Sequence, residues 1–326
     1  MTFSIIIPIY NAVRYLRATL ESVAAQTFRD FECICVDDGS SDGSGDIVEK
    51  FCARDSRFRL IRKSNGGEGS ARNAGLDVAK GAWLCYLDAD DLYRSEMLAA
   101  GNELIRRHPM ADIVAVNRLN FKGECLVSES VDVGLIDSSL LDARREFAGP
   151  FLTRGLCTGY YRRDTFGDIR FLSFVIGADR VYVAECLSRC AHIALSDVRL
   201  YLYRQHDESI MNRPYNAVKI RDGMQYICRY LAIVKKSGKT LEQSFRRVLV
   251  NQLVEEMPHH IRHLPVDERA DIWRQWRDAV AYLSDNGLAT RWGSCLAVLL
   301  KRLPAGLVMR VFCEMPYWLK RKGLHR

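Results

Sequence analysis

The residues with the clearest capacity for chemistry form two acidic clusters, Asp37-Asp38 and Asp88-Ala89-Asp90-Asp91, about 50 residues apart. Carboxylates held close together repel one another unless a cation stands between them. Mg²⁺ and Mn²⁺ prefer oxygen ligands, and Mg²⁺ commonly combines one or two carboxylates with substrate phosphates. Asp88-x-Asp90 therefore points to a metal–diphosphate clamp with Mg²⁺ or Mn²⁺ as the ion. A lone D-x-D is more often a solvated loop. This one directly follows the apolar run Ala82–Leu87.

The pattern of the surrounding chain predicts how the clusters are positioned. Phe3–Ile9 is an unbroken apolar run rich in β-branched residues, the mark of a strand buried on both faces. Leu16, Leu20 and Val23 then recur at helical spacing. Further strands are expected over 31–36, 58–62, 82–87 and 112–116, with helices over 46–54, 70–80 and 96–107. Asp42 or Ser44 is the expected cap of the helix at 46. Residues 120–215 read as irregular and mixed. Residues 216–290 read as helical, with Leu241, Phe245, Val248, Leu249 and Leu253 on one stripe.

This alternation implies parallel βαβ units and an α/β, doubly wound, mostly parallel sheet, followed by a helical extension. Ligands of such sheets bind beyond the carboxyl ends of the strands. Tyr10-Asn11, Asp37–Ser41 and Asp88–Asp91 all fall at such ends, so they are expected to share one site.

Composition narrows the classes. The 326 residues are 48% hydrophobic and 27% charged, which excludes wholesale disorder. The 11 cysteines include no C-x-x-C pair, and Cys33/Cys35 and Cys186/Cys190 are too close in sequence to suggest a disulfide framework. Reduced, buried thiols in a cytosol are the expectation. The start MTFSIIIPIYN has no basic n-region and does not read as a signal peptide. No apolar run approaches the roughly 20 residues of a spanning helix.

Neither Gly-rich stretch is a G-x-G-x-x-G after the first strand, and acids beside Gly39 would repel a pyrophosphate, which argues against NAD and P-loop chemistry. His259, His260 and His263 match no standard zinc spacing, and Pro258 interrupts their helix. Trp273 and Trp276 read as core.

The net charge is +7, and the last 36 residues, with eight basic and one acidic side chain, account for an excess of that size. There, basic residues alternate with aromatic and aliphatic ones, broken at Pro304 and Pro316. Residues 291–326 fit either an interfacial helix pair on anionic lipid or a terminal helix with a basic outer face. No nucleic-acid motif accompanies the charge.

Four motifs then stand in one order. They are Ile5-Ile6-Ile7-Pro8-Ile9-Tyr10-Asn11, Val36-Asp37-Asp38-Gly39-Ser40-x-Asp42-Gly43-Ser44, Asn65-x-Gly67-x-x-x-Ala71-Arg72-Asn73-x-Gly75 and Asp88-Ala89-Asp90-Asp91. Together they closely resemble the family 2 glycosyltransferases of the GT-A fold, strongly over roughly 1–110 and more weakly to about 215. The resemblance implies an inverting, metal-dependent transferase that uses a nucleotide-diphosphate sugar. It places Pro8, Tyr10, Asn11, Asp38, Arg72, Asn73, Asp88 and Asp91 around the donor, with Tyr10 against the base and Asp38 accepting from the base imide. It makes Asp90 the metal ligand. An inverting transfer also needs a general base. Asp179 in Gly177-Ala178-Asp179-Arg180 stands at the family's distance from the D-x-D, with Ala178 where the family usually has Glu, and Glu185 is the fallback. In 201–209, a strand followed by a loop, Arg204 and His206 are candidate phosphate contacts.

The implied donor is a UDP-hexose or UDP-N-acetylhexosamine. The implied acceptor is a cell-surface polysaccharide or lipid-linked glycan, handled in the cytoplasm or peripherally at the inner membrane. The expected organisation is a catalytic domain over 1–215, a helical extension over 216–290 and a basic tail over 291–326. A non-catalytic sugar-nucleotide-binding protein and a nucleotidyltransferase are the alternatives. The latter would carry a basic, Gly-rich loop after the first strand, which Pro8-Ile9-Tyr10-Asn11 is not.

Overall fold

The computed structural model describes residues 1–123, 131–145, 147, 151, 154–206 and 214–289. The basic tail expected over 291–326 and residues 207–213 lie outside the described residues. The chain divides into two compact units. One comprises Met1–Phe174 with Ala178–Arg213, and the other Val175–Gly177 with Pro214–Arg326.

The first unit is built on a mixed α/β sheet. Its strands are β1 (Phe3–Ile9), β2 (Phe31–Asp37), β3 (Phe58–Arg62), β4 (Trp83–Tyr86), β5 (Leu92–Tyr93), β6 (Ile113–Phe121), β7 (Ser139–Asp142), β8 (Gly159–Arg162) and β9 (His192–Arg204). They run in the order β3-β2-β1-β4-β8-β6-β9-β5, with β7 on β9. The β1, β2, β3 and β4 pairings are parallel, as the alternation predicts. Every residue of β1 and β2 is buried, the expected state of strands covered on both faces.

Between them run α1 (Val13–Ala24), α2 (Ser44–Arg54), α3 (Glu68–Leu76) and α4 (Met97–Arg107), followed later by α5 (Ala178–Arg189). Leu16, Thr19, Leu20 and Val23 form the buried face of α1. α3 packs closely on β1, because a Cβ on Gly75 would lie 2.5 Å from Cγ2 of Ile6.

Several boundaries differ from the sequence expectation. α2 and α3 begin earlier, at Ser44 and Glu68. The residue before α2 is Gly43 at φ +87°, which has no side chain to cap the helix, while Asp42 accepts from the N–H of Ser44, the first residue of α2. Asp42 also accepts from the backbone N–H of Val13, joining two loops. The stretch read as irregular contains β8, α5 and the 13-residue β9. β8 is only four residues long and antiparallel to both neighbours, so it carries little periodic signal. β6 changes from fully buried to alternating burial near a register shift at Ala115–Asn117, which hides its second half from a simple pattern.

The second unit is helical over its described part. It contains α6 (Ala217–Ser237), α7 (Gln243–Asn251), α8 (Met257–Ile261) and α9 (Val266–Asp285). Trp273 and Trp276 are buried edge to face at 5.2 Å, and Trp276 Nε1 donates to the Leu253 carbonyl at 2.8 Å. No helix among the described residues is long and apolar enough to cross a membrane.

Candidate active site

The carboxyl ends of β1, β2 and β4 deliver three loops to one edge of the sheet. Tyr10 stands at the first, 56% exposed, an open aromatic face. Asn11 is held at φ +49°, where its Oδ1 accepts from the Ser41 N–H at 2.9 Å and its own N–H donates to Ser40 Oγ at 3.1 Å. Pro8 is buried within β1 opposite Val36, so it shapes the strand beneath this loop and is not open to solvent.

Asp38 is buried, and its oxygens already accept from Lys63 Nζ at 2.6 Å and from the N–H groups of Gly66 and Gly67. These bonds tie Asp38 to the 63–67 loop. Asn73 is likewise bonded within the protein. Its Nδ2 donates to the Phe171 carbonyl at 2.9 Å, and its Oδ1 accepts from the Phe171 N–H at 2.8 Å, so both ends are engaged with the protein backbone.

Arg72, on the same helix, is 2% exposed. Its Nη2 donates to Glu68 Oε1 at 2.7 Å and to Asp88 Oδ1 at 2.8 Å. Its Nε and Nη1 are buried with no partner of their own. Burial alone would lower its pKa, but Glu68 and Asp88 more than offset this and keep the guanidinium charged.

Around this cation the acids crowd. Desolvation of the Glu68 carboxylate, and the Asp88, Asp179 and Asp90 charges, push it up to about 7 while Arg72 pulls the other way. Asp88 is raised by desolvation and by Asp90, against the pull of Arg72. Asp91 is raised to about 8 by burial and by Asp88 and Asp90. It accepts from the Tyr201 hydroxyl at 2.5 Å and from the Arg204 N–H at 2.7 Å. All three acids are raised first by burial, and among the described residues no group of three or more Asp, Glu, His or Cys side chains stands ready to hold a metal ion.

β9 supplies the far side. Arg204 Nε donates to the Asp90 carbonyl at 2.7 Å, and His206 Nε2 faces Asp90 Oδ2 at 2.8 Å. Both candidate phosphate contacts are thus brought against the Asp90 loop.

Asp179 lies in the first turn of α5, half-buried. Its charge acts on Glu68, Arg72 and Tyr161, which places it on the same acid cluster. Glu185 lies six residues on, about 9 Å along the helix and on another face. An aromatic group fixes α5. Phe171 and Tyr182 stack at 4.0 Å, and Tyr182 shares a 2.7 Å hydroxyl hydrogen bond with Tyr86 of β4. The segment leading toward α5 is also pressed on α3, since a Cβ on Gly69 would lie 2.4 Å from the Leu172 carbonyl oxygen.

Sequence reasoning missed Glu68, Tyr201, Phe171 and Cys157, whose Sγ lies 3.6 Å from Asp88 Oδ1. Glu68 had one available signal, its place four residues before Arg72 on a helix. The others depend on distant contacts.

With this geometry in view, comparison with known proteins is informative. Residues 4–164 match the model of glycosyl transferase family 2. EpsJ of Bacillus subtilis, an uncharacterized glycosyltransferase, is 30% identical over 65% of this chain and 63% of its own. EpsH of the same bacterium, also named a glycosyltransferase, is 31% identical over 73% of this chain and 71% of its own. The chain therefore spans a little under two thirds of EpsJ and rather more of EpsH.

Among solved structures, Staphylococcus aureus TarS 1–349 in complex with UDP-GlcNAc superposes with a TM-score of 0.75 at 20% identity, covering 99% of this chain and 92% of that one. A Pyrobaculum calidifontis mannosyltransferase in complex with GDP-Man and Mn²⁺ gives 0.53 at 16% identity, covering 96% and 88%. These two share the GT-A fold with this chain. The ordered motifs, the sheet that assembles them and the likeness to EpsH over 73% of this chain and 71% of its own lead to one conclusion: this chain belongs to the family 2 glycosyltransferases.

Proposed function

We propose that this protein transfers a hexose or N-acetylhexosamine, with inversion, from a nucleotide-diphosphate sugar to an acceptor hydroxyl, with Asp179 as the general base. The observation that carries the reading is that Arg72 bonds both Glu68 and Asp88, and that Asp88, Asp90 and Asp179 all act on the Glu68 carboxyl. The donor is read as a UDP-sugar. TarS, which shares the fold, is a structure with UDP-GlcNAc bound.

Tyr10 offers its exposed ring to the base, since an aromatic face suits stacking. Asp38 keeps the 63–67 loop in place beside it, and Asn11 keeps the 40–41 turn in place. Arg72, whose Nε and Nη1 have no hydrogen-bond partner among the described residues, and Asp88 face the donor, and Asp91 holds β9 against this loop. Asp90 and His206 are the residues that would hold a divalent cation. Such a cation supplies charge stabilisation for a leaving diphosphate.

Asp179 takes the proton from the acceptor hydroxyl as that oxygen attacks the anomeric carbon from the face opposite the leaving group. The new glycosidic bond forms as the bond to the diphosphate breaks, and the transition state carries oxocarbenium character. A β-linkage follows from an α-linked D-sugar donor. The acceptor is read as a cell-surface or lipid-linked glycan at the cytoplasmic side, with the basic residues of 291–326 toward anionic lipid.

The test is nucleotide diphosphate release from a panel of UDP-, GDP- and dTDP-sugars with Mn²⁺ or EDTA. Wild type is run beside Asp90→Ala and Asp179→Asn. Release from one donor that requires metal and Asp90 is the expected result. No release, and no shift in melting temperature with any nucleotide sugar, would overturn the reading.

A further inference from the structure

Tyr15 lies in the first turn of α1 but off its buried face, and its ring is only half-buried. It packs instead against the residues that meet Asp90. Its ring centroid is 4.7 Å from that of His206, tilted by 44°. The Arg204 guanidinium carbon lies 5.0 Å from the same centroid and 4.6 Å from that of Phe121, and the Arg14 guanidinium carbon lies 5.2 Å from Tyr15. Arg204 and His206 are the two side chains that engage Asp90, one at its carbonyl and one at its carboxylate.

The start of α1 is itself fixed. The N–H of Ala12 donates to Ser44 Oγ and that of Val13 to Asp42 Oδ2, each at 2.9 Å. Tyr15 is therefore carried on the same rigid turn that follows Tyr10 and Asn11, and it reaches across to the end of β9.

We propose that Tyr15 is a positioning residue for the cation-binding edge of the site, its ring being the surface against which His206 and Arg204 are set so that His206 Nε2 and Asp90 Oδ2 face one place. The inference rests on the reading of Asp90 and His206 as cation ligands. An imidazole on an open surface has several rotamers, and a ring packed on one side leaves fewer. A cationic guanidinium over a tyrosine face is held by the ring quadrupole. Groups that orient metal ligands typically cost 10–100-fold in metal affinity when removed. The aromatic face of the ring, and not its hydroxyl, is what this role requires.

The experiment measures Mn²⁺ binding in the presence of saturating UDP, from loss of the free Mn²⁺ signal in electron paramagnetic resonance. Wild type, Tyr15→Phe, Tyr15→Leu and Asp90→Ala are compared. UDP binding without metal is measured in parallel. The expected result is wild-type affinity for Tyr15→Phe, affinity about 10–100-fold weaker for Tyr15→Leu, and metal-free UDP binding unchanged in both.

Equal Mn²⁺ affinity in Tyr15→Leu and wild type overturns the proposal while leaving the cation site standing. Equal affinity in Asp90→Ala and wild type overturns the cation site, and the Tyr15 role with it. A merely structural role for Tyr15 would lower metal-free UDP binding along with Mn²⁺ binding, and that outcome also counts against the proposal. If Tyr15→Leu melts early, Tyr15→Met replaces it in the same comparison, below both transitions.

Discussion

Asn73 and Phe171 exchange two hydrogen bonds, the Asn73 amide donating to the Phe171 carbonyl at 2.9 Å and accepting from its N–H at 2.8 Å. The pair joins α3, which carries Arg72, to the segment that leads toward α5 and Asp179. It also seats the Phe171 ring, which lies 5.3 Å from the Arg72 guanidinium carbon and stacks on Tyr182. One side chain thus ties the acid-facing cation to the candidate base.

Asn73→Ala should uncouple these elements. It leaves both polar groups of the Phe171 peptide without their partner, at a cost of about 1–3 kcal/mol. We expect a lower melting temperature and a loss in kcat larger than any change in donor KM. Thermal melts and steady-state kinetics check this, and a variant that melts with wild type would show that the exchange carries no stability.

Asp179→Asn preserves shape and removes the basic oxygen. Turnover should fall by about 10²–10⁴-fold, the usual contribution of a general base, with UDP affinity unchanged. Glu185→Gln, on another face of α5, should stay within a few-fold of wild type. The two are compared by turnover and by calorimetric UDP titration; the reverse ranking would transfer the role to Glu185.

The Glu68 carboxyl gives a stability signature with a definite sign. It ionises near 4.5 when free and is pushed up to about 7 in the fold. The folded state therefore binds this proton more tightly than the unfolded state does. The stability it contributes is fully present below about pH 4.5 and is lost as pH climbs to about 7. Glu68→Gln cannot ionise, so its melting temperature should decline less across that window than that of the wild type. Parallel curves for the two proteins would contradict the assignment.

Arg72→Leu tests the same cluster from the other side. Without the guanidinium, Glu68 and Asp88 face each other with nothing between them. Protonation relieves that repulsion, so the loss in melting temperature should be greater at pH 8 than at pH 6. A loss independent of pH would mean that Arg72 matters for packing on Phe171 rather than for charge.

Much of this was readable without coordinates. The buried runs at Phe3–Ile9 and Phe31–Asp37 can only be strands covered on both faces, and parallel strands must deliver their following loops to one edge. That requirement alone brings Tyr10, Asp38 and Asp88–Asp91 together. The four-residue β8 was not legible, because an antiparallel insertion that short has too few residues to show a period. The protein partners of Asp38 and Asn73 were not legible for a similar reason. A motif names a residue type, whereas its partners at Gly66–Gly67 and Phe171 are set by loops that the motif does not describe.

The sequence by itself determined the α/β architecture and the edge at which the acids gather, because both follow from local hydrophobic period and chain direction. Only the tertiary structure decided which acids press on which. Glu68 feels the charge of Asp179, Tyr15 packs on His206 and Tyr201 bonds Asp91, each pair far apart in the chain. Electrostatic and packing energies depend on distance in space, and for these pairs that distance is fixed by how the sheet orders its strands.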